Sequence, residues 1–219
     1  MIIIESKHKK RENILKKYPN AIICDITSQA TDGLVKLSPF FPHGGIPVPF
    51  SPDYTATCVE AVWQGLKVFE NEDVDKSMFL NGTMKGIQRT VRKHGKVLGH
   101  RKGVDGAEIL GYVEAKRLIY IPTYRWMLEH KVTDIIERLR KASLMKTIVL
   151  LDYNTCCDVY SYTKSLSHPT LSKLTQKVFI RLMISDLQWQ QTTKSIHTNS
   201  FRCLNKDYYY GKEAQLASI

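Results

Sequence analysis

Three polar side chains, Glu60, Gln64 and Lys67, stand at i, i+4 and i+7 in a stretch whose apolar residues Val59, Val62, Trp63, Leu66 and Phe69 recur at steps of three and four. That periodicity marks a helix burying one face, and the polar three line up on the other. Glu60 is the reactive member. A carboxylate in the first turn of a helix, beside Trp63 and facing a rigid aromatic loop, has surroundings able to tune its pKa and exclude water, as acid–base or electrostatic catalysis requires. The spacing has a second reading. Thr57-x-x-Glu60 is also a capping box, whose two side chains only satisfy free N–H groups at a helix start.

Around Glu60 the chain offers groups able to wall a pocket and bind a polar ligand. Phe40, Phe41, Trp63 and Trp126 are aromatic candidates for contact with a ligand, with core packing as their other reading. Gln64 and Lys67 suit hydroxyls or phosphate, and His43, beside Gly44, either orients substrate or holds its own loop. Asp152, ending the apolar segment TIVLLD, is the expected second catalytic carboxylate, against a structural reading as the start of an Asp-x-Asn turn. Asp158 is a further acidic candidate. Between Ser77 and Val104 there is no Asp or Glu but seven Lys and Arg. Three of them, Arg89, Arg92 and Lys93, are expected to share a helix sector and clamp a diphosphate or a nucleic-acid backbone. A solvated basic face is the ordinary alternative, although such faces usually mix signs.

The elements that must position these residues are legible in outline. Five prolines (39, 42, 47, 49, 52) and Gly44-Gly45 make residues 39–52 a stiff, shaped loop feeding a helix over Thr57–Glu70. Further helices are expected over Lys9–Tyr18, from Met84 to near Gly95, over Asp105–Tyr120 with Pro122 as the stop, over Thr123–Ala142, and from Ser167-His168-Pro169 onward. Strands are expected at Ala21–Thr27, Leu34–Leu37 and Thr147–Asp152, the last pairing with the first. Helices outnumber strands, which predicts a helix-rich α+β domain over residues 1–184 and a polar tail over 185–219.

The net charge of +11 argues for an anionic partner, whether nucleic acid, a phosphorylated small molecule or a membrane surface. Five cysteines, with no C-x-x-C pair and none at zinc-ligand spacing from a histidine, predict a reduced, cytoplasmic protein without structural metal. At the N-terminus an apolar run precedes the charges, the reverse of a signal peptide. No segment approaches the roughly 18 consecutive apolar residues of a spanning helix, so no membrane association is expected.

SPFFPHGGIPVP followed by TATCVEAVWQGLKVF resembles the opening motif of the NADAR family, the YbiA-like proteins associated with NAD, ADP-ribose and related N-glycosides. The matching positions are Ser38, Phe41 and Pro42 upstream, then Glu60, Trp63, Gln64 and Lys67, and the resemblance covers roughly residues 37–69. Ala61 stands where that family usually has His, and no Trp-Gly pair follows Asp152 and Asp158, so the resemblance is to a divergent branch. It implies a YbiA-like fold and cofactor-free hydrolysis of an N-glycosidic bond in an ADP-ribosyl or nucleotide-like substrate. Glu60 would then stabilise the oxocarbenium-like C1′, attack it, or activate water. Two competing expectations are a non-catalytic nucleic-acid-binding protein using segment 85–102 and a catalytically dead ADP-ribose-binding module.

Overall fold

The computed structural model describes residues 1–153, all within the compact unit Met1–Ile184. Asp158, the helix expected from Ser167 and the tail 185–219 lie outside the described residues. In chain order the elements are β1 (Ile2–Ser6), α1 (Arg11–Lys17), β2 (Ile22–Asp25), β3 (Ile46–Val48), β4 (Ser51–Ala56), α2 (Val59–Gly65), β5 (Lys67–Phe69), α3 (Val91–His94), β6 (Val97–Arg101), β7 (Ile109–Leu110), α4 (Tyr112–Ala115), α5 (Ile121–Lys131), α6 (Thr133–Met145) and β8 (Ile148–Asp152). Tight 3-10 turns cover Gly33–Leu37 and Lys76–Leu80, and a π turn, Lys116–Tyr120, joins α4 to α5. The architecture is α+β, with more short strands than the sequence pattern suggests.

TIVLLD forms the middle of a parallel sheet of order β1-β8-β2. It pairs with the Ala21–Thr27 segment, as expected, and also with Ile2–Ser6, whose apolar run is too short to announce a strand. Parallel strands are covered on both faces, which is why β8 reads as continuously apolar. On one face Ile14 of α1 packs with Ala21 and Val149, joined by Ile3, Tyr18, Ile23 and Leu151. Side chains alternate along a strand, so Ile148, Leu150 and Asp152 turn to the opposite face, where all three are buried.

Several expected elements are corrected by tertiary contacts. Leu34–Leu37 is not a strand but lies in a 3-10 turn, capped by Asp32, whose Oδ1 accepts from the Leu34 amide at 2.9 Å. The helix expected over Thr57–Glu70 ends at Gly65, and β5 leaves it to pair antiparallel with β6, placing Lys67 opposite His100. No helix runs from Met84 to Gly95, and α3 keeps only four residues. Arg89 turns inward instead, donating to the backbone carbonyls of Gln64 at 3.1 Å, Lys67 at 2.6 Å and Asp73 at 2.8 Å. The Asp105–Tyr120 helix starts only at Tyr112, after β7, and Pro122 does not stop it. Proline lacks the N–H that the Leu118 carbonyl would accept and its ring crowds that carbonyl, and the chain widens into a π turn there rather than breaking. The Thr123–Ala142 helix is two helices, α5 and α6, separated at Val132.

Among the described residues no helix is long and apolar enough to cross a membrane.

Gly65 explains how α2 sits. A Cβ there would lie 2.3 Å from Phe79 Cε1, so the last turn of α2 rests directly on that ring. Gly65→Ala is expected to cost about 1–3 kcal/mol through overpacking. Denaturant unfolding measures it, and an unchanged midpoint would contradict the contact.

Candidate active site

A cavity of about 420 Å³ opens at the carboxyl edge of the parallel sheet, where Thr27 follows β2 and Asp152 ends β8. Open parallel sheets hold ligands outside the carboxyl ends of their strands, and this volume lies within the usual range of small-molecule sites, about 300–1,000 Å³. Phe40 of the proline-rich loop and Glu60 and Trp63 of α2 form a second wall. The third comes from Tyr112, Lys116 and Tyr120.

Glu60 is 8% exposed and lines this cavity. Its backbone N–H donates to the Pro39 carbonyl at 2.9 Å, which ties the start of α2 to the loop. The capping-box reading is overturned by where the Thr57 groups go. The Thr57 amide donates to the Phe79 carbonyl at 2.8 Å, its hydroxyl donates to the Asn81 carbonyl at 2.6 Å, and the cap is Cys58, whose Sγ accepts from the Ala61 amide at 3.3 Å. With its side chain released from capping, Glu60 accepts at Oε1 from Gln64 Nε2 at 2.7 Å, and no described residue bonds to Oε2.

Gln64 has a fixed orientation. Its Oε1 accepts from Lys67 Nζ at 2.8 Å and from the Arg89 amide at 3.1 Å, so the amide nitrogen must face Glu60. Burial pushes the Glu60 pKa up, opposed by the Gln64 hydrogen bond and by the Lys67 charge. Burial likewise pulls Lys67 down, with Glu60 opposing. Gln64 and Lys67, expected to touch substrate, therefore stand behind the carboxylate and position it.

Trp63 is backed by His100, ring centroids 3.6 Å apart and planes 30° off, and meets Tyr120 edge-on at 5.4 Å. His100 is 2% exposed, and both its ring nitrogens lack a partner among the described residues. Burial, then the Lys67 charge, drives its pKa down to about 3, so Trp63 rests on a neutral ring. Asp152 lines the cavity and its Oδ1 accepts from the Tyr153 amide at 2.7 Å, while Asn154, which would complete the expected Asp-x-Asn turn, lies outside the described residues.

Other expected site residues lie elsewhere. His43 Nε2 bonds the Lys36 carbonyl at 2.8 Å and its ring meets Phe41 at 4.8 Å, so both hold the loop rather than line the cavity. Trp126 stacks on His130 at 4.4 Å. The clamp of Arg89, Arg92 and Lys93 does not form, because Arg89 is buried on backbone carbonyls while Arg92 and Lys93 are exposed on α3. Among cavity residues Thr27, Tyr112, Lys116 and Tyr120 were not anticipated. A signal existed for three of them, the spacing of four that leads to Pro122 inside a helical pattern.

Residues 6–172 match a family of unknown function, DUF6939. The chain belongs to that family. The matched segment of this DUF6939 member contains every described residue lining the cavity. No curated protein matches the sequence.

The raised Glu60 pKa carries a sign. The folded state holds the proton more tightly than the unfolded chain, so stability falls as pH rises from the ordinary carboxyl range through the folded pKa. Glu60→Gln removes that penalty. The variant is expected to melt above wild type at about pH 8, with the difference fading below about pH 4. A pH series of melting temperatures tests it, and a variant less stable than wild type throughout would contradict the burial argument.

Proposed function

We propose that the chain is an N-glycoside hydrolase of the NADAR type acting on an ADP-ribosyl or nucleotide-like substrate, with Glu60 as the catalytic carboxylate. The observation that carries this reading is that Glu60, released from the helix cap, lines a cavity it shares with Asp152, Phe40 and Trp63. The motif resemblance over residues 37–69 points to the same chemistry. As the bond from C1′ to the base breaks, the sugar becomes oxocarbenium-like, and a carboxylate beside it stabilises the cation, attacks it or takes a proton from water. Asp152, which lines the same cavity, fits whichever of those tasks Glu60 does not perform. A planar base fits against Trp63, and Lys116 supplies a cation for phosphate. A cytoplasmic, reducing location accompanies this reading, in keeping with the cysteine pattern.

A nucleic-acid-binding reading keeps one specific support. Lys85, Arg92, Lys93 and Lys96 are all exposed in a span without acids. Arg89 no longer contributes, and the cavity receives only Gln88 from that span.

The test is release of free base or ADP-ribose from ADP-ribosylated guanosine, ADP-ribosylated DNA, NAD and a riboflavin precursor. Wild type is expected to turn over at least one, and Glu60→Gln to lose about 10²–10⁴-fold. Equal release by both proteins would remove Glu60 from the chemistry. Tight ADP-ribose binding without turnover indicates a binding module. DNA affinity that falls steeply with salt and is lost when Arg92 and Lys93 are neutralised, with no turnover, indicates the nucleic-acid reading.

A further inference from the structure

Tyr120 ends the π turn Lys116–Tyr120. Such turns are rare and often lie at functional sites. This one carries two cavity residues, Lys116 and Tyr120, and Tyr112 precedes them by another four positions. In an unbroken α-helix residues four apart drift about 40° around the axis at each step. The wider π turn offsets that drift, so Tyr112, Lys116 and Tyr120 all keep to one cavity wall.

Tyr120 and Tyr124 make an internal comparison. Their rings stand 6.4 Å apart with planes 10° off. The Tyr124 hydroxyl is fully committed, donating to the Leu37 carbonyl at 2.6 Å. The Tyr120 hydroxyl has no hydrogen-bond partner among the described residues and is not sealed from the cavity its residue lines. Its ring is pinned edge-on against Trp63. Burial, then the charges of Glu60 and Asp152, hold the phenol well above its ordinary pKa, so it stays a donor.

We propose that the Tyr120 hydroxyl donates a hydrogen bond to the departing base, a role that rests on the hydrolase reading above. A carboxylate that stabilises the cationic C1′, attacks it or takes a proton from water does so ionised, and an ionised carboxylate only accepts hydrogen bonds, so in that role Glu60 does not support the atom of the base that gains electron density as the C–N pair leaves C1′. A neutral donor beside it can. Water supplies the hydroxyl to C1′ and its proton ends on the base, so Tyr120 is neither consumed nor charged. The hydrogen bond strengthens as the bond breaks, which makes it an interaction of the transition state rather than of the bound substrate.

Tyr120→Phe and Tyr124→Phe are compared with wild type for kcat, KM and melting temperature on whichever substrate wild type hydrolyses. Tyr120→Phe is expected to lower kcat by about tenfold or more with KM and melting temperature near wild type. Tyr124→Phe is expected to lower the melting temperature and leave kcat nearly intact. An active wild type with an equally active Tyr120→Phe overturns the role of Tyr120 and leaves the hydrolase reading standing, whereas a wild type that releases nothing overturns both. A readout independent of stability is the ratio of kcat between a purine glycoside and its deaza analogue lacking a ring acceptor. That ratio should collapse in Tyr120→Phe, and an unchanged ratio counts against the proposal.

Discussion

A carboxylate taken out of water must be either neutralised or held by donors, because desolvation of the charged form is costly. In this molecule the Gln64 side-chain amide meets that requirement for Glu60, and much of the local structure exists to hold that amide. Its oxygen is fixed by Lys67 and by the Arg89 backbone, and the Arg89 guanidinium in turn binds the carbonyls of Gln64 and Lys67. The inward turn of Arg89 removes the chain from a helical path, and the departure of β5 from α2 brings Lys67 within reach of Gln64. One constraint thus accounts for the short α2, the short α3 and the loss of the basic clamp.

The frame around it is stiff for reasons of composition. The loop carbonyl of Pro39 accepts from the Glu60 amide, and Gly44, at φ 72°, donates its own amide to the Thr57 carbonyl at 2.8 Å. The parallel sheet brings Asp152 to the same cavity from a segment some ninety residues along the chain, because strand alternation turns Asp152 with Ile148 and Leu150 away from α1. The neutral His100 ring behind Trp63 keeps a charge out of the wall. Its ring nitrogens, without a partner among the described residues, are a destabilising feature of about 1–3 kcal/mol tolerated at that wall.

Local pattern carried the α+β class, the β8–β2 pairing and the outline of α1, and it singled out Glu60, Asp152, Phe40 and Trp63, which line one cavity. These residues are legible because each follows a strong local signal, such as helical periodicity, an apolar strand ending in an acid, or proline-fixed loop geometry. The errors share a cause. Gln64, Lys67 and Arg89 read as ligand contacts because spacing cannot reveal that they bond to one another and to nearby backbone instead. Tyr112, Lys116 and Tyr120 stayed hidden because Pro122 reads as a helix stop, and only the packed structure shows the chain widening to carry the helix through. Thr57 matched a capping box, yet long-range partners, the carbonyls of Phe79 and Asn81, outcompeted the local pattern.

The most direct test of Glu60 as a catalytic carboxylate is a crystal structure of Glu60→Gln with an uncleaved ADP-ribosylated nucleoside. The expected result is an intact glycoside in the cavity, its base against Trp63 and its C1′ between residues 60 and 152. A ligand bound outside the cavity, or one inside it with C1′ remote from residue 60, would contradict that role.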